Sequence, residues 1–102
     1  MLRLIKVTGE SLSPEYQEGD FVLIAKIPFF LSPPKPGDVL VFNQPGYGTL
    51  IKRVERADSS QDEYFVTGMH ERSVGSREFG PIRGKAITGK VIWHIKRLKR
   101  LA

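Results

Sequence analysis

The sequence predicts an all-β chain, a single small domain built as coiled antiparallel sheets or a partial barrel. Three observations predict it. Short runs rich in β-branched and aromatic residues recur along the chain. Nearly every run is closed by Gly, Pro or Asp punctuation. Ten Gly and seven Pro in 102 residues leave little room for an uninterrupted amphipathic helix.

Taken in order, Leu2 to Val7, Phe21 to Ile27, Val39 to Phe42, Leu50 to Glu55, Tyr64 to Thr67 and Ala86 to Ile95 read as strands. Breaks are predicted at Glu18-Gly19-Asp20, Pro33 to Asp38, Pro45 to Gly48 and Ala57 to Asp62. Pro33 to Pro36 reads as a stiff connector between two strands, and Gly46-Tyr47-Gly48 as a hairpin turn. Gly68 to Gly84 is the longest stretch without strand character, and such loops often carry function. At the C-terminus Ile95, Leu98 and Leu101 could form one apolar helical stripe. The domain is expected to span residues 1–95, followed by a basic tail, 96–102.

Composition narrows the function. No cysteine is present, which excludes a disulfide framework, a thiolate metal site and a cysteine nucleophile. His70 and His94 are the only histidines and lack the companions of a metal site, so no metal and no cofactor are expected. The net charge is +5, but Lys96, Arg97, Lys99 and Arg100 lie within the last seven residues. A basic tail on a near-neutral body suits an anionic membrane surface or a solvated terminus better than a nucleic-acid-reading face. The longest apolar run, Phe21 to Leu31, is interrupted by Lys26 and Pro28, and Met1 is followed at once by a strand-like run. The expectation is a cytoplasmic chain, membrane-peripheral at most, with neither a cleaved signal nor a helical anchor.

Two segments carry candidate chemistry. In Gly9-Glu10-Ser11-Leu12-Ser13-Pro14, Gly9 permits an unusual turn and Pro14 opposes a helix around Ser11. That places a hydroxyl on a tight irregular segment, where a backbone N–H can also face a reacting carbonyl. In Leu50-Ile51-Lys52-Arg53-Val54-Glu55 the strand period of two puts Lys52 on the face of Leu50 and Val54, with Arg53 opposite. If that face is buried, desolvation lowers the lysine pKa, and a neutral amine beside a serine hydroxyl is a general base needing no histidine. A lysine that snorkels to water is the plainer alternative.

Together these residues resemble the signal-peptidase and LexA-like superfamily of Ser/Lys proteases. Gly9 to Pro14 followed by Gly19-Asp20 is similar to the signature Gly-x-Ser-Met-x-Pro then Gly-Asp. Pro36 to Phe42 resembles Pro-Gly-Asp-Val-Val-Val-Phe, and Ile51 to Val54 resembles the Ile-Lys-Arg-Val segment that carries the catalytic lysine. Ser73, Ser76-Arg77 and Phe79-Gly80-Pro81 match Ser-x-Asp-Ser-Arg-x-Phe-Gly-Pro, and Gly89-Lys90-Val91 resembles the closing strand.

The resemblance implies a serine endopeptidase on a coiled β fold that binds a precursor protein as an extended strand. It implies Ser11 as nucleophile, Lys52 as base, Ser73 orienting the lysine, and the Ser11 N–H in the oxyanion hole. Gly9 stands where some signal peptidases place a second oxyanion-hole serine, which leaves backbone donors. Leu12 replaces the methionine, and Met69-His70 replaces Asp-Asn. Gly75 stands where an aspartate would face Arg77, leaving Glu71 or Glu78 as substitutes. The short form and the Gly-Lys-Val-Ile-Trp ending resemble the maturation proteases of nickel-type superoxide dismutases. A non-catalytic β domain that binds an extended peptide or mediates dimerisation is the alternative. A self-cleaving repressor is disfavoured, because only ten residues precede Ser11.

Overall fold

The computed structural model describes residues 2–7, 16, 18–26, 33–68 and 75–96. They form an all-β fold. Six strands, β1 (Leu2–Lys6), β2 (Phe21–Ala25), β3 (Val39–Gln44), β4 (Gly48–Asp58), β5 (Glu63–Thr67) and β6 (Ile87–Ile95), make one sheet in the order β1-β2-β6-β3-β4-β5. Every pairing is antiparallel.

The last strand holds the sheet together. β6 lies between β2 and β3, with Leu23 opposite Trp93 on one side and Val41 opposite Gly89 on the other. Gly89 fits closely there: a Cβ would lie 3.1–3.2 Å from Ile24 and the Ala25 carbonyl, so a side chain would need those neighbours to give by a few tenths of an ångström. Register shifts at Leu23/Ile24, Val41/Phe42 and Val54/Arg56 bend the ladder and add twist, which coils the sheet.

The coil creates two cores. Val7, Tyr16, Val22, Ile24, Val39 and Val41 form the first, with Ile51 packed against it. Leu40, Phe42, Val54, Tyr64, Val66, Ile82 and Ile87 form the second. β3 therefore sends alternate side chains into both, which is why Val39 to Phe42 reads as a continuous apolar run.

Several elements differ from the sequence expectation. β4 runs from Gly48 to Asp58, well past Leu50 to Glu55, because it pairs with β3 along one half and β5 along the other. Turn residues Gly46 and Gly48 have φ of 84° and 82°, and the Tyr47 N–H donates to the Gln44 carbonyl at 2.9 Å. The Gly68 to Gly84 stretch contains a one-turn helix, α1 (Ser76–Phe79), and Ile82 bridges to Tyr64 at the outer edge of β5. Ile95 belongs to β6 rather than to a helical stripe. Ile27 and residues 97–102, including the rest of that stripe and of the basic tail, lie outside the described residues.

Candidate active site

Lys52 is the centre of the site. On β4 it lies opposite Leu40 of β3 and shares a face with Leu50 and Val54, so its stem runs into the second core. It is 1% exposed. The period-of-two reading placed it correctly, and its neighbours explain the burial. Loss of water disfavours the ammonium and holds the Lys52 pKa below its ordinary value, while the negative charge of Glu78 pulls partly the other way. Arg53 is half-buried on the opposite face, where Ile51 packs against the first core.

Glu78 arrives through α1. Its carboxylate accepts the Gly75 N–H at 2.6 Å, and the Glu78 and Phe79 N–H groups donate to the Gly75 carbonyl at 2.9 and 3.2 Å. The turn is fastened to β5 because Ser76 Oγ accepts the Val66 N–H at 2.8 Å. Gly75 lies flush against that strand: a Cβ would sit 2.7 Å from the Val66 carbonyl oxygen. The position therefore excludes the aspartate that the family pattern places there, and Glu78 bonds the Gly75 backbone. Arg77 is exposed on α1. Phe79 anchors the turn against the second core, 6.2 Å from the Phe42 ring centroid and 5.5 Å from that of Tyr47.

Gly9, Ser11 and Ser73 lie outside the described residues, as do Glu71 and Met69-His70. The chain on either side of Gly9 and Ser11 is described, and it is pinned. The Val7 N–H donates to the Asp20 carbonyl at 2.7 Å, and the Gly19 N–H donates to the Val7 carbonyl at 3.0 Å. Tyr16 is buried and stacks on His94 with centroids 4.2 Å apart. His94 Nε2 donates to the buried carboxylate of Asp20 at 2.8 Å. The segment bearing Ser11 thus begins and ends at backbone-bonded positions, with an aromatic clamp near its return. Sequence reasoning missed this clamp. Asp20 and His94 are 74 positions apart, and no local pattern links them.

Among the described residues, no group of His, Asp and Glu is arranged to hold a metal ion. No helix among them is long and apolar enough to cross a membrane. A family model described as signal peptidase, peptidase S26, matches residues 1–55. The matched part takes in Ser11 and Lys52 and stops short of Ser73 and Arg77. No curated protein matches the chain.

Proposed function

The chain belongs to the signal peptidase family, peptidase S26, and on that premise we propose that it is a serine endopeptidase working through Ser11 and Lys52. The observation that carries the reading is the burial of Lys52 in β4, which favours a neutral amine. In the proposed reaction that amine takes the proton of the Ser11 hydroxyl as Oγ attacks the scissile carbonyl. The resulting oxyanion is held by backbone donors, among them the Ser11 N–H, with Gly9 contributing no side chain. The protonated lysine then gives its proton to the leaving amine, and water hydrolyses the acyl-enzyme by the same relay. Ser73 orients the lysine amine, and Arg77 supports the turn that carries Glu78.

The proposed substrate is a precursor protein bound as an extended strand, from which a leader or signal segment is removed. The Gly89 to Trp93 ending favours the precursor of a nickel-type superoxide dismutase as the first candidate. Co-expression with that precursor, followed by intact-mass measurement, tests the reading. A new N-terminus is expected with the wild-type chain and none with Ser11→Ala. Cleavage that persists in Ser11→Ala removes the proposed nucleophile, and an uncut precursor beside folded wild-type protein removes that substrate.

A further inference from the structure

At the end of the first core remote from the Tyr16–His94 stack lies a pocket of about 300 Å³. The strand period of two builds it. Ile24 of β2 is buried in that core, and Arg3, its opposite number on β1, shares its face. Asn43 follows Val39 and Val41 on the same face of β3. Lys26 continues β2, and Lys85 comes from the 3-10 turn Gly84–Ala86 that leads into β6. Buried Ile24 and Ile87 line the apolar side. A concave site of this size, part apolar and part polar, suits a small molecule.

Charge selects the ligand. The described lining residues include the cations Arg3, Lys26 and Lys85 and no carboxylate. Among the described residues none of these three has an ion-pair partner, whereas Lys90 pairs with Asp38 and Arg83 with Glu63. Three like charges around one hollow repel until an anion enters. The Thr49 hydroxyl donates to Asn43 Oδ1 at 2.8 Å, which leaves the Asn43 NH₂ group to donate elsewhere. The polar side of the pocket therefore offers a guanidinium, two ammoniums and an amide donor. A carboxylate would neutralise one cation. A single phosphoryl group, with about 1.5–2 negative charges, leaves the set short. A diphosphate balances all three cations, and the Arg3 fork matches phosphate oxygens.

We infer that this pocket binds a small soluble molecule through a diphosphate group, with Arg3, Lys26 and Lys85 pairing its oxygens and Asn43 donating a further hydrogen bond. The site does not depend on the Ser11–Lys52 reading.

Calorimetric titration of the full chain with inorganic pyrophosphate tests the inference, with orthophosphate and acetate as comparisons. One saturable site is expected for pyrophosphate, weaker binding for orthophosphate and none for acetate. Lys85→Gln should lower pyrophosphate affinity about 10-fold, and Arg3→Gln with Lys85→Gln about 100-fold. Lys96→Gln removes the same charge past the far end of β6 and should leave the affinity unchanged. All three substitutions are at exposed positions, and thermal melting checks that each variant is folded. In amide NMR spectra pyrophosphate should shift the signals of Arg3, Lys26, Asn43 and Lys85. No binding of pyrophosphate, equal binding of acetate, or shifts confined to other residues overturns the inference. Equal weakening by Lys96→Gln and Lys85→Gln means diffuse charge attraction and overturns it too. Tighter binding of a single-stranded oligonucleotide, or of vesicles bearing phosphatidic acid, assigns the cations to another partner and does the same.

Discussion

Glu78, on the one-turn helix α1, is the carboxylate whose charge acts on buried Lys52 of β4, and it opposes the effect of burial on that amine. A negative neighbour favours the ammonium, so Glu78 restrains the loss of the proton that burial promotes. Glu78→Gln removes the charge but keeps an oxygen to accept the Gly75 N–H. The Lys52 pKa should fall further, and the rising limb of the cleavage pH profile should move to lower pH. A limb that stays in place or moves upward means that Glu78 does not act on the base.

Lys52→Arg tests the base itself. Arginine keeps a positive charge but cannot give up its proton at any working pH. The variant should fold and lose about 10²- to 10⁴-fold in kcat, as Ser11→Ala should. The double variant should be little worse than either single one, because the two groups act as a unit. Substantial cleavage by Lys52→Arg, measured by intact mass over time, would exclude the amine as base.

Stability should carry the opposite signature. A lysine whose pKa is lower in the folded than in the unfolded chain binds fewer protons when folded. Its contribution is unfavourable below the folded pKa, and stability rises with pH from there to the unfolded value of about 10.4. Lys52→Met should therefore be inactive but more stable near neutrality, on the order of 1 kcal/mol or about 4–8 °C in Tm. It should also lose that part of the pH dependence. Denaturant titrations from neutral to alkaline pH check both points, and a less stable methionine variant would contradict the account.

Gly75 should not tolerate a side chain. The nearest atom to an added Cβ is the Val66 carbonyl oxygen, part of the β5 backbone, so relief requires moving the strand or α1. Gly75→Ala and Gly75→Asp should each cost about 1–3 kcal/mol, read as a lower Tm. Restoring the family's aspartate in this chain is thus predicted to harm it. A neutral or stabilising outcome would show that the turn shifts freely.

His94→Leu should loosen the segment that bears Ser11. It deletes the hydrogen bond to the Asp20 carboxylate and the polar stacking partner of Tyr16. The cost should be about 1–3 kcal/mol. Hydrogen exchange should accelerate at the Val7 and Gly19 amides, whose bonds close that segment. Unchanged protection there would mean that the backbone bonds hold the segment without the clamp.

Local chemistry in the sequence determined much of this protein. Strand runs, the turn at Gly46-Tyr47-Gly48 and the side of β4 that carries Lys52 follow from short-range sterics and a side-chain period of two. The ordered motifs around Ser11 and Lys52 carried the family resemblance. The structural neighbourhood of Gly9, Ser11 and Ser73 lies outside the described residues. Helix α1 was not legible, because one turn is too short to show a 3.6-residue period.

Tertiary structure alone decided the rest. The alternation of Leu50, Lys52 and Val54 names a face but not what covers it. Insertion of β6 between β2 and β3, with the bulges that coil the sheet, gives β3 two buried faces, and Lys52 lies beside β3, opposite Leu40. The Asp20–His94 bond, the action of Glu78 on Lys52 and the tight seat of Gly75 on Val66 likewise join distant residues. A linear pattern records which side of a strand a residue occupies. Which partner meets that side is set by packing between segments far apart in the chain, where burial, charge and steric fit act through space.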